Sequence, residues 1–256
     1  MSELPVLWQF TASHYNEKAR WALDWKGLPY RRRSLLPGLH VPTIFWMTGQ
    51  KSVPVLTIDG LTIADSTRII ETLEMRKPDP PLFPADPVAR RRALELEDFF
   101  DRELGPHLRR AVFDAVLGDS DYACALFTQD AKPLARRAYR TMFPAVRLVM
   151  KIDLGIDDER AALSRDRVAR AFDRLESELQ PSGYLVGDRF TVADLTAAAL
   201  AAPLVQPPEF PYAWPPSPPD AAVRLRADYV DRPGFRWVQE MYRRHRGRSL
   251  AEVRAA

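Results

Sequence analysis

Four prolines fall within the eight residues Lys77-Pro78-Asp79-Pro80-Pro81-Leu82-Phe83-Pro84. Each proline removes a backbone donor and fixes φ, so neither a helix nor a central strand passes through this stretch. The patterning of the 256-residue chain differs on its two sides. We therefore expect one domain over 1–76, a linker over 77–85 and a second domain over 86–256. Hydrophobic residues make up 46% of the chain, enough for full cores without disulfides or metals.

Before the break, short apolar runs alternate with amphipathic ones. Val6-Leu7-Trp8-Gln9-Phe10 reads as a strand. Glu17 to Lys26 reads as a helix that Gly27 ends. Tyr30 to Leu35 reads as a second strand, and its Arg31-Arg32-Arg33 run suits an edge or a solvated stretch. Pro37 to Met47 is an irregular or short helical connection. Val53 to Ile58 and Leu61 to Ile63 flank Asp59-Gly60, the signature of a hairpin. Ala64-Asp65-Ser66 then caps a helix that runs through Met75. The order β-α-β-(α)-β-β-α describes a small α/β domain.

After the break the periodicity is helical. Leu94, Leu96, Phe99, Phe100 and Leu104 mark one long helix. Tyr122 to Met150 holds one or two more, with Pro133 and Pro144 as breaks or kinks, and Asp158 to Leu179 is an amphipathic helix. Thr191 caps the next helix, with Asp194 reaching back and Phe190 stapling onto Leu195. A proline-rich tract from Pro203 to Pro219 embeds Phe210, Tyr212 and Trp214. It reads as a surface wrap over the helices or as a partner-docking segment. A last helix carries Phe235, Trp237, Val238 and Tyr242.

Composition removes several function classes. There are 37 basic and 34 acidic residues, and that balance gives no basis for nucleic-acid binding. Arginine far outnumbers lysine, which fits helical surfaces laced with ion pairs. The lone cysteine, Cys124, excludes an intrachain disulfide and CxxC redox chemistry; mid-helix, it reads as a buried small hydrophobe. His14, His40, His107 and His245 lack metal-ligand spacing, so no metal is expected. Met1-Ser2-Glu3-Leu4-Pro5 shows no signal peptide. The longest apolar run, around Val192 to Val205, is interrupted by Asp194 and Thr196 and falls short of the roughly 20 residues a bilayer requires. The expectation is a soluble cytoplasmic protein without a membrane partner.

Four stretches in order carry a resemblance. Ser13 through Leu23 looks like a strand-to-helix active-site turn. Ser52-Val53-Pro54-Val55-Leu56 looks like a segment with a cis-proline. Ala64-Asp65-Ser66-Thr67-Arg68-Ile69-Ile70 looks like an acidic-Ser motif opening a third helix. Gly183 through Leu195 looks like a capping box with a staple. Together they resemble the glutathione S-transferase family, over nearly the whole chain except the proline-rich tract and the last helix. The resemblance implies an α/β thioredoxin-like N-terminal domain and an all-α C-terminal domain. It also implies glutathione as cosubstrate, a small hydrophobic electrophile bound between the domains, and a homodimer.

It further implies site residues. Ser13 stands where the family places a catalytic Ser or Cys, and Tyr15 and Asn16 carry donors that can replace or assist it. A free thiol has a pKa of about 8.5, so a donor aimed at sulfur and the positive end of a helix are what thiolate formation needs. Gln9 falls where the tyrosine-using branch carries its Tyr, which disfavours that branch. Serine at position 13 disfavours the disulfide-exchange branch, and His14 stands where many relatives have Pro. A cis Val53-Pro54 bond would present the Val53 backbone to the cysteinyl unit as an added strand does. Asp65 and Ser66 suit the γ-glutamyl end, with its ammonium and carboxylate. His40 and Lys51 are candidates for the glycyl carboxylate. Tyr15, His107, Phe113, Tyr122 and Trp214 are candidates for the electrophile site. Beside these stand plainer readings: Ser13, Asp65 and Ser66 as simple helix caps, and His40 and Lys51 as surface residues. Two other functions share the fold, a non-catalytic glutathione or ligand binder and an interaction scaffold.

Overall fold

The structure is a computed structural model that describes residues 3–252. The first domain runs β1 (Val6–Gln9), α1 (His14–Trp25), β2 (Tyr30–Ser34), α2 (Val41–Thr48), β3 (Val55–Ile58), β4 (Leu61–Ala64) and α3 (Ser66–Arg76), the order the sequence predicts. β1 pairs parallel with β2 and antiparallel with β3, and β3 pairs antiparallel with β4. The hairpin turns on Asp59 at φ 47° and Gly60 at φ 77°, the left-handed pair that matches strand twist. Leu7, Leu56, Ala19, Leu23, Ile70 and Leu73 are fully buried between sheet and helices.

The second half runs α4 (Pro87–Phe99), a π-helical turn (Phe100–Leu104), α5 (Gly105–Val116), α6 (Ser120–Phe127), α7 (Pro133–Leu154), α8 (Asp158–Glu178), α9 (Val192–Val205), α10 (Asp220–Ala227), α11 (Pro233–Met241) and a second π-helical turn (Tyr242–Arg246). Cys124 is buried in α6 as expected. α9 is the central post: every residue but Pro203 is buried. A helix apolar all round belongs inside, and its alanines let neighbours approach closely. Pro133 starts α7, while Pro144 sits within it without ending it. The capping box on α9 is present. The buried Asp194 carboxylate accepts from Thr191 N, Thr191 Oγ1 and Leu185 N, each at 2.8 Å. The Phe190 ring packs on Trp21, Trp25 and His245, with centroids 5.5, 4.9 and 4.6 Å away, so this cap is joined to α1.

Four expectations are corrected or refined. The long helix over 94–104 is interrupted by the π-helical turn, which re-aims its carbonyls. The second half is not helical throughout, and β2 is not an edge strand. β5 (Ala251–Glu252) returns to pair parallel with β2, giving the sheet order β4-β3-β1-β2-β5. The return is anchored by Arg246, buried against Glu17 at 2.5 Å and Asp24 at 2.9 Å. Finally, the proline-rich tract lies on the surface with part of it turned inward: Pro208, Ala213 and Pro216 to Pro218 are exposed. Phe210 and Tyr212 are buried, and the Tyr212 hydroxyl accepts from Gln9 Nε2 at 2.6 Å and donates to Asp130 Oδ2 at 2.8 Å. The phenol joins buried Gln9 of the first domain to exposed Asp130 of the second half, so this part of the tract braces the two.

Candidate active site

Sheet topology gathers the predicted residues. β1 ends where β3 begins and β4 ends, in the register Trp8↔Val55↔Ala64. The segments just beyond, Phe10 to Ser13, Val53-Pro54 and Asp65-Ser66, therefore share one end of the sheet. The N-termini of α1 and α3 begin there, so their partial positive charges add. Asp65 N donates to Pro54 O at 3.3 Å, tying two of the segments together.

The turn that carries Ser13 is organised by Arg20, fully buried in α1. Its guanidinium donates to Gln9 Oε1 at 2.7 Å and to the carbonyls of Phe10, Thr11 and Ser13 at 3.2, 3.4 and 3.3 Å. Glu17 Oε2 lies 2.7 Å from its Nε and neutralises it. Gln9, where the tyrosine branch would carry its Tyr, is thus occupied in holding Arg20 and Tyr212.

Ser13 lies on the cleft and is the N-cap of α1, its Oγ accepting from Asn16 N at 3.4 Å. That contact uses an oxygen lone pair and leaves the hydroxyl proton available, so capping and donation to sulfur coexist. Tyr15 also lines the cleft, but its hydroxyl donates to Asp101 O at 2.7 Å. Burial and the Asp101 carboxylate raise its pKa further, so Tyr15 keeps its proton and spends it on that carbonyl. Asn16 is corrected: its side chain is fully enclosed, off the cleft, with neither amide atom hydrogen-bonded, because position 16 faces into the interior.

Val53-Pro54 is cis, and no hydrogen bond holds either backbone group of Val53 among the described residues. Asp65 has φ 83°, a left-handed value that a non-glycine residue adopts only where its surroundings impose it. Its Oδ1 accepts from Thr67 N at 2.9 Å and Arg68 N at 3.2 Å, so it caps α3, and Ser66 beside it is buried. His40 and Lys51 both line the cleft. His40 Nε2 bonds Lys51 O at 2.9 Å, and burial lowers the His40 pKa, which leaves Lys51 as the stronger candidate cation. The Lys51 ammonium pairs with Asp153 of α7 across the cleft mouth.

The cleft, about 400 Å³, lies between the halves. Of the electrophile-site candidates, Tyr15, Phe113, Tyr122 and Trp214 line it. His107 does not; its Nδ1 faces Ser164 Oγ at 3.2 Å. Sequence reasoning missed Arg109 on this wall. A signal existed: Gly105, Val112, Phe113 and Val116 share a helix face with it, and an arginine on such a stripe is out of place. His14 also lines the cleft, and burial and the Arg109 guanidinium hold its pKa down at about 3, so its ring is neutral.

A four-stranded mixed α/β unit completed by a fifth returning strand, capped by a helical half with a cleft between them, defines a two-domain thioredoxin-like scaffold. Family models agree: residues 7–81 match the glutathione S-transferase N-terminal domain and residues 157–239 its C-terminal domain, together more than half of the chain. The chain belongs to the glutathione S-transferase family. A probable maleylacetoacetate isomerase 1 of Drosophila melanogaster is 32% identical over 118 residues, covering 44% of this chain and 48% of that relative. The maleylacetoacetate isomerase of Rattus norvegicus is 28% identical over 159 residues, 59% of this chain and 68% of the relative. In fold, the chain resembles a glutathione S-transferase of Methylobacterium radiotolerans solved with glutathione sulfonate. The TM-score is 0.55 at 23% identity, covering 91% of this chain and 93% of the other. Among the described residues no helix is long and apolar enough to cross a membrane.

Proposed function

We propose that this protein is an enzyme that binds glutathione at the shared end of the sheet and activates its thiol for attack on a hydrophobic electrophile in the cleft. The observation that carries the reading is the convergence there of Ser13, the unpaired Val53 backbone, Asp65 and two helix N-termini. The residues fit the tripeptide group by group. The α3 N-terminus and Ser66 suit the γ-glutamyl carboxylate and Asp65 its ammonium. Val53 pairs with the cysteinyl backbone, and Lys51, keeping its Asp153 partner, answers the glycyl carboxylate with its remaining donors. The Ser13 hydroxyl donates to the sulfur, and the α1 N-terminus adds a positive potential that favours the thiolate. The apolar cleft then holds the electrophile within reach, where proximity supplies much of the rate. Thiolate addition is common to transferase and isomerase chemistry, and the names of the relatives accord with either. The reading includes a homodimer. Phe45 and Trp46, 60% and 88% exposed on α2, leave apolar surface for a second copy, and light scattering tests it.

Calorimetry of glutathione with the wild type and Asp65→Ala tests the site. Binding by the wild type that weakens at least tenfold in the variant, about 1.4 kcal/mol, supports it. Absence of binding to the wild type rejects it. Ser13→Ala is expected to lower turnover while glutathione affinity changes little. Unchanged turnover would turn the reading toward a non-catalytic binder.

A further inference from the structure

The α5 wall of the cleft carries one residue whose chemistry the glutathione site does not use. Gly105, Arg109, Val112, Phe113 and Val116 recur every three or four residues and so share a face. All but Gly105 line the cleft, and Gly105 lies directly beneath Tyr15, which fixes where the face begins. Arg109 stands one turn further along, near enough to His14 and Tyr15 for its charge to act on both. The rest of the stripe is apolar.

Arg109 has no matching anion. Its neighbour Arg110 is satisfied by Leu154 O at 3.0 Å and Ser164 Oγ at 2.9 Å. Arg109 makes neither an ion pair nor a hydrogen bond among the described residues. Burial disfavours its charge and lowers its pKa. The acidic group that acts on it is Asp153, whose carboxylate is already held by Lys51. The His14 ring beside it is neutral. A half-buried guanidinium that faces the cleft without a counter-ion is complementary to an oxygen anion.

We propose that Arg109 is the counter-ion for a carboxylate on the electrophile, so that the cleft selects carboxylate-bearing electrophiles over neutral ones of the same shape. The proposal rests on the glutathione reading above, which assigns both glutathione carboxylates to other residues and leaves Arg109 to the second substrate. A guanidinium meets a carboxylate through two parallel N–H···O bonds, which fixes orientation as well as charge. The electrophile is thereby aligned with its anionic end toward α5 and its reacting carbon toward the sulfur.

The test uses two glutathione conjugates of equal size, S-(para-carboxybenzyl)glutathione and S-(para-carbamoylbenzyl)glutathione, titrated by calorimetry into wild type, Arg109→Gln and Arg109→Lys. The wild type is expected to prefer the carboxylate by about tenfold or more, as a charge-assisted pair implies. The preference should vanish in Arg109→Gln and survive in part in Arg109→Lys. Equal binding of the two conjugates to the wild type overturns the proposal while leaving the glutathione site standing. Failure of the wild type to bind glutathione or either conjugate removes the glutathione reading and this inference with it. The ultraviolet absorbance of bound thiolate, titrated with pH, provides a second readout. If Arg109→Gln raises the thiolate pKa and keeps the carboxylate preference, Arg109 serves the sulfur and the proposal is wrong.

Discussion

The Tyr15 hydroxyl donates to the Asp101 carbonyl at 2.7 Å, joining the first turn of α1 to the π-helical turn between α4 and α5. In an unbroken α-helix that carbonyl would accept from a backbone N–H four residues on. The wider turn frees it for a side chain of the other domain. Gly105 completes the arrangement, because a Cβ there would lie 2.1 Å from the Tyr15 hydroxyl oxygen. Gly105→Ala is therefore expected to expel Tyr15 and destabilise the protein by about 1–3 kcal/mol. Tyr15→Phe alone should cost about 1 kcal/mol. Urea unfolding of the two single variants and the double variant checks the coupling, and strict additivity would contradict it.

Arg20 holds the active-site turn by three of its carbonyls. Arg20→Lys keeps the charge but loses the planar fork. It should cost on the order of 3 kcal/mol and weaken glutathione binding through the misplaced Ser13. Unchanged affinity in calorimetry would show that the turn is held by other means.

Asp194 satisfies three buried donors at the head of α9. Asp194→Ala leaves Leu185 N and Thr191 N without partners and should cost about 2–4 kcal/mol. Thermal unfolding measures it. A loss of activity with stability intact would instead mark Asp194 as part of the chemistry.

His14 gives the protein an acid-sensitive group. Burial and Arg109 hold its pKa at about 3, against 6.5 when free. Between those values the unfolded chain binds the extra proton, so stability is full above pH 6.5 and is lost as pH falls toward 3. His14→Gln should flatten the decline in unfolding free energy between about pH 5 and pH 7, read by urea titration. An identical slope in wild type and variant would mean that His14 takes up its proton equally in the folded and unfolded chains.

Much of this was legible in the sequence, for local reasons. Asp59-Gly60 specifies its own turn, Thr191 and Asp194 their own cap, and the proline cluster its own break, because each depends on neighbours a few residues away. What escaped depends on distant partners. β5 is two residues long, too short for alternation to register, and exists because Arg246 finds Glu17 and Asp24. The inward turn within the proline-rich tract depends on Gln9 and Asp130 meeting Tyr212. Asn16 carries a plausible donor, yet its position on α1 turns it inward, and composition says nothing of direction. Arg109 was detectable on its apolar stripe, but only the cleft shows that no carboxylate answers it.

The return of the chain to β2 has a consequence for the order in which the protein can be built. Glu17 and Asp24 are made early, yet their counter-charge on Arg246 and the fifth strand are among the last residues described. During synthesis the nascent sheet would carry an open flank at β2, with Asp24 lacking its cation and Glu17 holding only Arg20. A released fragment ending before residue 246 would keep that flank exposed, a template for pairing with another chain. The second half thus closes the first domain as well as roofing its cleft, and nascent chains are safe from each other only once the C-terminal segment has docked.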